Sequence, residues 1–397
     1  MLNIMFFVDN FYPVVDGVTK VVESYGKILH GKGHTVTLVT SDMKGYKHSL
    51  PFQIIEGRTT KKQFFGYYAP KKDRALRKKA ESLILQSKPD VIHLHSPLAV
   101  GKLGLRLAKK YKIPGVITFH SQFKRDFLRY TRSRLITYFL VKHYMRVYNG
   151  ADAALTMNEA CRQVFKGYGY RGELRIVPNA TGFACEGREQ VKELAAACDK
   201  EYGLENKKNV MLFAGRLAKT KNIYFIARAL GILNRKGFEF TFIFAGDGPD
   251  RRECERLCNE YGLNDRVIFL GRVEHERLPA LYARAELILF PSLYDTNSLV
   301  QIEGAAFYTP ALFLKGAVTA DTVTPEINGF VAENDAEKYA QKVIEILSDE
   351  QKLRAAGDAA HKQLYVRWET AVEQAETVYY SFFSQLVNSG AGAVYCP

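Results

Sequence analysis

Four short segments bring together residue types that could do chemistry. The first, Phe290-Pro291-Ser292-Leu293-Tyr294-Asp295-Thr296-Asn297-Ser298-Leu299-Val300-Gln301-Ile302-Glu303, carries two carboxylates eight residues apart. They bracket the first turns of a helix expected to start around Ser298. Opening amides of a helix have no intrahelical acceptor and sit at the positive end of its dipole. Those of Ser298, Leu299 and Val300 therefore suit a diphosphate. Ionised Asp295 and Glu303 accept strongly from hydroxyl groups such as those of sugar and ribose. Helix capping would explain Asp295 but not Glu303. The second segment, Phe213-Ala214-Gly215-Arg216-Leu217-Ala218-Lys219-Thr220-Lys221-Asn222, ends a strand at Gly215 and leads into a helix. Its Arg216 offers phosphate oxygens a planar fork and its Lys221 a point charge. The third, Asp9 to Val18, follows the first strand. Gly17 there lets backbone approach a ligand closely, and a helix entering at Thr19 favours an anion. The fourth, Thr118-Phe119-His120-Ser121, also ends a strand, and His120 can donate or accept near neutral pH.

The elements around these segments repeat one pattern. Short apolar runs at Asn3–Val8, Thr35–Thr40, Val91–His95, Gly115–His120, Ala153–Thr156 and Leu174–Pro178 alternate with helix-length stretches. Those stretches include Thr19–Leu29, Ala75–Gln86, Lys102–Tyr111, Arg132–Tyr148 and Glu159–Tyr168. Strands rich in Val, Ile and Phe between such stretches imply βαβ units on a parallel sheet. Residues 180–208 are polar and contain Gly182, Gly187 and Gly203, which reads as a linker with a short helix. The alternation then restarts, with strands at Val210–Ala214, Phe240–Ala245, Val267–Leu270, Leu287–Phe290 and Ala311–Leu314. Helical stretches follow at Ala336–Ser348, at Glu350–Leu364 and from Trp368 through Phe383. The expected fold is α/β, with two doubly wound Rossmann-like domains. Ligands bind such sheets beyond the carboxyl ends of the strands, so the site is expected in a cleft between two facing domains.

Composition narrows the class. The 397 residues are 47% hydrophobic and 25% charged, the mix of an ordinary globular protein. Six cysteines without a CxxC pair argue against a disulfide scaffold and structural zinc, and suit a reducing compartment. No apolar run reaches the about 18 residues of a membrane span. The N-terminus reads as a strand rather than a signal peptide, so the cytoplasm is the expected location. GxxxxGK[ST], GxSxG, zinc-finger and RNP1 patterns are all lacking. Gly167, Gly169 and Gly172 spell GxGxxG, but with a helix before and a strand after, the reverse of a dinucleotide fingerprint. His93 and His95 share one face of a strand. With no carboxylate or third His evident nearby, they read as packing rather than a metal site.

In their order and spacing the four segments resemble the retaining glycosyltransferases of family four (glycosyltransferase group 1), whose fold is GT-B. Supporting matches are Gly31-Lys32-Gly33-His34-Thr35-Val36, Asp90-Val91-Ile92-His93-Leu94-His95, Val177-Pro178-Asn179, Ala245-Gly246-Asp247-Gly248-Pro249 and Phe269-Leu270-Gly271-Arg272-Val273. The likeness runs from Asn3 to about Tyr380. It implies an acceptor-binding domain over residues 1–182 and a nucleotide-sugar domain over 183–366. A helix over 367–388 would return to the first domain, followed by a tail over 389–397. The implied activity is transfer of a hexose from a nucleotide sugar, a UDP-sugar first among them, with the anomeric configuration kept. Arg216 and Lys221 would clamp the donor diphosphate and stabilise the leaving nucleotide. Glu303 matches the second acid of the family's EX7E motif and would hold the ribose hydroxyls. Asp295 matches the first acid and would contact the donor sugar, with Asn297, Ser298, Leu299 and Val300 beside it. His120 would sit against that sugar near the reacting centre. Gly17 would pass its backbone close to the diphosphate, and Arg272 and Val273 would border the base. The resemblance implies no metal and no cofactor beyond the nucleotide sugar, because cations and helix amides supply the electrostatics. Nor does it imply a strong general base, since the departing phosphate can take the acceptor proton. Two residues depart from the usual pattern around the donor sugar. The first acid is Asp rather than Glu, and Asn297-Ser298 replaces Phe-Gly or Gly-Phe.

Charge points to the acceptor. Residues 1–182 hold 31 Lys and Arg against 12 Asp and Glu, a net +19; the remaining residues hold 25 against 30, a net −5. An acceptor domain this basic is expected to meet an anionic surface. Between Lys124 and Tyr148, the cations Lys124, Arg125, Arg129, Arg132, Arg134, Lys142 and Arg146 interleave with Phe127, Leu128, Tyr130, Tyr138, Phe139, Leu140 and Tyr144. Lys71, Lys72, Arg74, Arg77, Lys78 and Lys79 form a second cluster. A basic, aromatic-rich amphipathic segment suits an anionic headgroup layer, so the expected acceptor is a membrane lipid or lipid-linked saccharide, met at the inner face of the cell membrane. The alternatives are a soluble saccharide or anionic acceptor, and a non-catalytic nucleotide-binding module of the same fold. No nucleic-acid partner is expected.

Overall fold

The computed structural model describes residues 1–388 except Val15, Asp42, Lys44, Lys47, His48, Phe65, Gly66, Lys71 and Lys72; for 59–64, 67–70 and 384–388 it describes the backbone alone. Val15 of the first loop, Lys71 and Lys72 of the second basic cluster, and the tail 389–397 with Cys396 lie outside the described residues. The chain divides into two units. One comprises Met1–Asn179 with the segment from Trp368, and the other Ala180–Arg367.

The first unit opens with β1 (Asn3–Phe7), α1 (Gly17–Gly31), β2 (Thr35–Thr40) and β3 (Gln53–Glu56). A two-stranded hairpin, β4 (Thr59–Phe64) and β5 (Tyr67–Pro70), precedes α2 (Arg74–Ser87). Then come β6 (Val91–Leu94), α3 (Ala99–Tyr111), β7 (Gly115–Thr118), α4 (Phe123–Thr131), α5 (Arg134–Tyr148), β8 (Ala153–Thr156), α6 (Glu159–Gly167) and β9 (Leu174–Ile176). Seven parallel strands form one sheet in the order β3-β2-β1-β6-β7-β8-β9. The strand order reverses at β1 and β6, and a doubly wound sheet opens a crevice at such a point. Asp9, just past β1, is wholly buried and spans the reversal. Its carboxylate accepts from Leu98 N at 3.0 Å, Val100 N at 2.7 Å, Gly101 N at 3.3 Å and Ser96 Oγ at 2.5 Å, closing the amino end of α3. Burial pushes that carboxyl above its usual range despite these bonds.

The second unit contains α7 (Arg188–Tyr202), β10 (Val210–Ala214), α8 (Ile223–Arg235), β11 (Thr241–Ala245), α9 (Arg251–Glu260), β12 (Val267–Gly271), α10 (Leu278–Arg284), β13 (Leu287–Leu289), α11 (Leu299–Ala306), β14 (Ala311–Leu314), β15 (Phe330–Ala332), α12 (Ala336–Leu347) and α13 (Glu350–Leu364). Its six strands are parallel, in the order β12-β11-β10-β13-β14-β15, with the reversal at β10 and β13. Every residue of β10 and β11 is buried, as expected of strands covered on both faces. Wholly buried Phe213, Phe242, Phe244 and Phe313 each contribute on the order of 1.5–3 kcal/mol. The last helix, α14 (Trp368–Asn388), belongs to the first unit. Trp368, Ala371, Val372, Ala375, Val378 and Tyr379 form its buried stripe at helical spacing. Buried Glu376 on the same face accepts from His34 Nε2 at 2.9 Å and pairs with Lys32. His34 Nδ1 in turn accepts from Leu2 N at 2.9 Å.

Several elements differ from the expected ones. α1 begins at Gly17, not Thr19, because the Asp16 side chain accepts from Thr19 N at 2.9 Å and draws Gly17 and Val18 into the first turn. The polar stretch 180–208 holds a fifteen-residue helix, α7. Its Glu, Lys, Gln and Ala are strong helix formers, and Gly203 at φ +65° ends it. The expected helix Arg132–Tyr148 is two helices, because Arg132 turns left-handed at φ +51° and Ser133 caps α5.

Candidate active site

The loops after β10 and β13 meet at the reversal of the second sheet. Leu217 N donates to Asp247 O at 3.0 Å and Gly215 N to Ala245 O at 2.9 Å, fixing the first loop to the end of β11. That approach requires glycine. A Cβ on Gly246, at φ +151°, would lie 1.8 Å from Gly215 O. Asn222 Nδ2 donates to Pro291 O at 3.1 Å and Ser292 Oγ to Thr220 O at 3.3 Å, which ties the two loops together. Lys221 Nζ then reaches Asp295 Oδ1 at 2.5 Å and lies 5.8 Å from the Phe290 ring centre. The pair is mostly shielded, at 25% and 16% side-chain exposure, so its charges act with little solvent screening.

α11 starts beside this pair. Ser298 caps it, Oγ accepting from Gln301 N at 3.2 Å, and Asn297 Oδ1 accepts from Ser298 N at 2.8 Å. Of the three amides singled out in the sequence, that of Ser298 is thus engaged locally. Those of Leu299 and Val300 stand in the helix's first turn, where no intrahelical acceptor exists. Glu303, one turn further along, accepts from the Tyr282 hydroxyl at 2.5 Å through Oε2. Tyr282 is wholly buried on α10, and burial together with Glu303 pushes its hydroxyl well above the usual phenol range. It therefore remains a donor that holds the carboxylate in place. Nothing in the sequence pointed to Tyr282, because the contact joins two helices and residues twenty-one apart. Arg216 is exposed at the end of β10. Arg272 is exposed and Val273 half-buried at the end of β12, two strands along the same sheet.

In the first unit, Gly17 is exposed at the amino end of α1. His120 is half-buried just past β7. A third histidine does lie near the His93 and His95 pair, contrary to the reading from sequence: His120 Nε2 is 3.2 Å from His95 Nδ1. Parallel pairing of β6 with β7 brings them together across twenty-five residues. Burial lowers His93 to about 3 and His120 to about 4, and takes His95 well below its usual range, so all three rings are uncharged at neutral pH. No group of three His, Cys, Asp or Glu among the described residues is arranged to hold a metal ion.

The basic segment folds as the α4–α5 helical hairpin. Phe123, Val141, Met145, Val147 and Tyr148 face inward, and Phe127, Leu140 and Tyr144 are half-buried. Outward stand Leu128, Tyr130, Leu135, Ile136, Tyr138 and Phe139, the last four 52–67% exposed. Lys124, Arg125, Arg129, Arg132, Arg134, Lys142 and Arg146 on the same two helices and their junction are also exposed. In the second cluster, Arg74, Arg77, Lys78 and Lys79 are exposed on α2, with Arg77 paired to Glu81 at 3.2 Å. No helix among the described residues is long and apolar enough to cross a membrane.

Comparison with known proteins adds to this geometry. Residues 15–181 match the family model for Glycosyltransferase Family 4, and residues 196–363 that for Glycosyl transferases group 1. An alpha-monoglucosyldiacylglycerol synthase of Streptococcus pneumoniae is 26% identical over 318 residues, spanning 78% of this chain and 70% of that protein. One from Acholeplasma laidlawii is 25% identical over 329 residues, spanning 78% and 80%. The crystal structure of Anabaena HepE in complex with UDP matches with a TM-score of 0.77 at 16% identity, covering 96% of this chain and 100% of that one. At that identity the likeness concerns the fold, which is GT-B.

Proposed function

This chain belongs to the glycosyltransferases of family 4 and group 1, and we propose that it moves a hexose from a UDP-sugar to a membrane lipid with retention at the anomeric carbon. The observation that carries the donor side is the convergence of Lys221, Asp295, the amino end of α11 and Glu303 at the reversal of one sheet. A diphosphate seated on the Leu299 and Val300 amides would take Lys221 as its counter-charge, with Arg216 supplying a second cation. As the sugar–phosphate bond breaks, negative charge grows on the leaving oxygen, and these prearranged donors stabilise it most at that moment. The leaving phosphate takes the acceptor's proton on the same face, which keeps the configuration without a separate base. Asp295 is suited to accept from sugar hydroxyls, and Glu303 from the ribose. The family resemblance adds His120 and the Gly17 backbone to the same reaction. Cations and amides fill the electrostatic role a metal would otherwise take.

The acceptor assignment rests on the α4–α5 hairpin, which exposes both aromatic and aliphatic side chains and seven cations. It accords with the diacylglycerol named for the two curated relatives. We place the reaction at the cytoplasmic face of the membrane, where anionic headgroups would hold the first unit. The deciding experiment measures binding and slow hydrolysis of a panel of nucleotide sugars with EDTA present. One UDP-sugar bound and hydrolysed in preference to the rest is expected. Activity that disappears with EDTA would overturn the metal-independent reading, and binding of none would overturn the donor site.

A further inference from the structure

Three histidine rings stand in a row at the carboxyl ends of β6 and β7. His93 has both ring nitrogens engaged, Nδ1 with the Tyr379 hydroxyl and Nε2 with Thr118 Oγ1, each at 2.7 Å. The His95 ring centre lies 4.1 Å from that of His93 and 5.4 Å from that of His120, the latter pair stacked. Phe6 and Tyr25 meet the His95 ring edge to face, which holds its plane. His95 Nδ1 and His120 Nε2 are 3.2 Å apart, so one of them donates to the other. His95 Nε2 is buried and has no hydrogen-bond partner among the described residues.

That asymmetry decides where the proton sits. A neutral imidazole carries a single N–H. On Nε2 of His95 it would be a buried donor with no acceptor. On Nδ1 it is used in the bond to His120, and Nε2 keeps only an unfilled lone pair. Orphaned buried N–H groups are the rarer and costlier of the two. We propose that His95 is a positioning residue: it donates Nδ1–H to His120 Nε2 and so fixes His120 as the Nδ1–H tautomer. The tautomer of one ring is set by the bond its other nitrogen makes. His120 then has one nitrogen occupied as acceptor and the other carrying a proton. It can only donate, and cannot take a proton from an attacking hydroxyl. For its consequence in catalysis this rests on the reading of His120 as a residue that contacts the donor sugar; the tautomer itself does not.

The experiment is nitrogen NMR of the full chain labelled with ¹⁵N-histidine, with His120 and His95 assigned by substitution, alongside kinetics with UDP-glucose. His120 Nε2 is expected to resonate as unprotonated and Nδ1 as protonated. His95→Phe keeps a flat ring in the stack but removes the donor. It should release His120 to the Nε2–H form and lower kcat about tenfold, the scale of one hydrogen bond, with KM for UDP-glucose little changed. His95→Asn, whose amide can donate from nearly the position of Nδ1, should restore the native tautomer and most of kcat. Native His120 protonated at Nε2 overturns the proposal, as does an unchanged tautomer in folded His95→Phe. Should His95→Phe not fold, the wild-type spectrum and His95→Asn still decide. Full activity in His120→Ala would remove the catalytic role of His120 while leaving the tautomer assignment standing.

Discussion

At the scale of single residues, the proposed donor site is a set of charges paired within the protein itself. Lys221 is paired with Asp295 at 2.5 Å, so a diphosphate bound as proposed would have to compete with a carboxylate for its charge. Removing either cation should matter most where charge develops. Lys221→Ala or Arg216→Ala is expected to lower kcat by about 10²-fold or more, read from UDP-sugar turnover at saturating donor. Near-native turnover in both would show that the diphosphate sits elsewhere. Glu303 is held differently, by a buried phenol. Tyr282→Phe keeps the ring but deletes the bond that orients the carboxylate. Donor KM should rise roughly five- to tenfold, with kcat almost unchanged. A fall in kcat at constant KM would instead make Glu303 part of the chemistry. The unusual Asn297-Ser298 pair also gains a physical account. Its side chains accept the Ser298 and Gln301 amides, which a Phe-Gly pair would leave without those acceptors. The diphosphate site proposed at this helix start would thereby have fewer free amides.

Elements position these residues through two recurring devices. One is the short polar loop at a strand's carboxyl end, braced by hydrogen bonds to its neighbour, as between Asn222 and Pro291. The other is the capped helix start, as with Asp16 on α1 and Ser298 on α11. The α4–α5 hairpin shares the second device, with Ser133 capping α5, but positions none of these residues. Its inner face carries the packing while Leu135, Ile136, Tyr138 and Phe139 face outward. Reversing the charges of Arg132, Arg134 and Lys142 together should abolish sedimentation with phosphatidylglycerol vesicles yet leave UDP-sugar hydrolysis intact. Vesicle binding that survives would put the membrane contact on another surface, with the exposed cations of α2 the next to test.

For the molecule as a whole, pH is the variable that reaches furthest. His93 and His120 are held at about 3 and about 4, below the about 6.5 of an unfolded chain, and His95 is also depressed. Below pH 6.5 the unfolded state therefore binds more protons than the folded one, and stability falls as pH drops toward 4. Between pH 7 and pH 5 the His93 and His120 rings should each remove on the order of 2 kcal/mol, with His95 acting in the same direction. Urea unfolding followed across that interval should show a steep loss of stability. A flat profile would mean that the rings titrate normally. A variant with His93→Asn should flatten part of the slope, because one of the three depressed groups is gone.

How much of this was legible beforehand follows from the range of each interaction. Strand and helix alternation depends on the period of apolar residues along a few turns or pleats. Both doubly wound units and the strand-end positions of Arg216, Lys221, His120 and Asp295 could therefore be read directly. The length of the helix α7 was obscured because its polar surface gives little periodic signal, although its residues favour a helix. Contacts between distant segments leave no mark on local pattern. Glu376 meets His34 across 342 residues, Tyr379 meets His93 across 286, and Tyr282 reaches Glu303 from another helix. By itself the sequence determined most of the core strands and which loops stand at their carboxyl ends, but not β3, the β4–β5 hairpin, α10 or β15. Only the tertiary structure decided which side chains hold the acids and the histidines in place. Packing of whole elements selects those partners, and no short stretch of chain contains both members of such a pair.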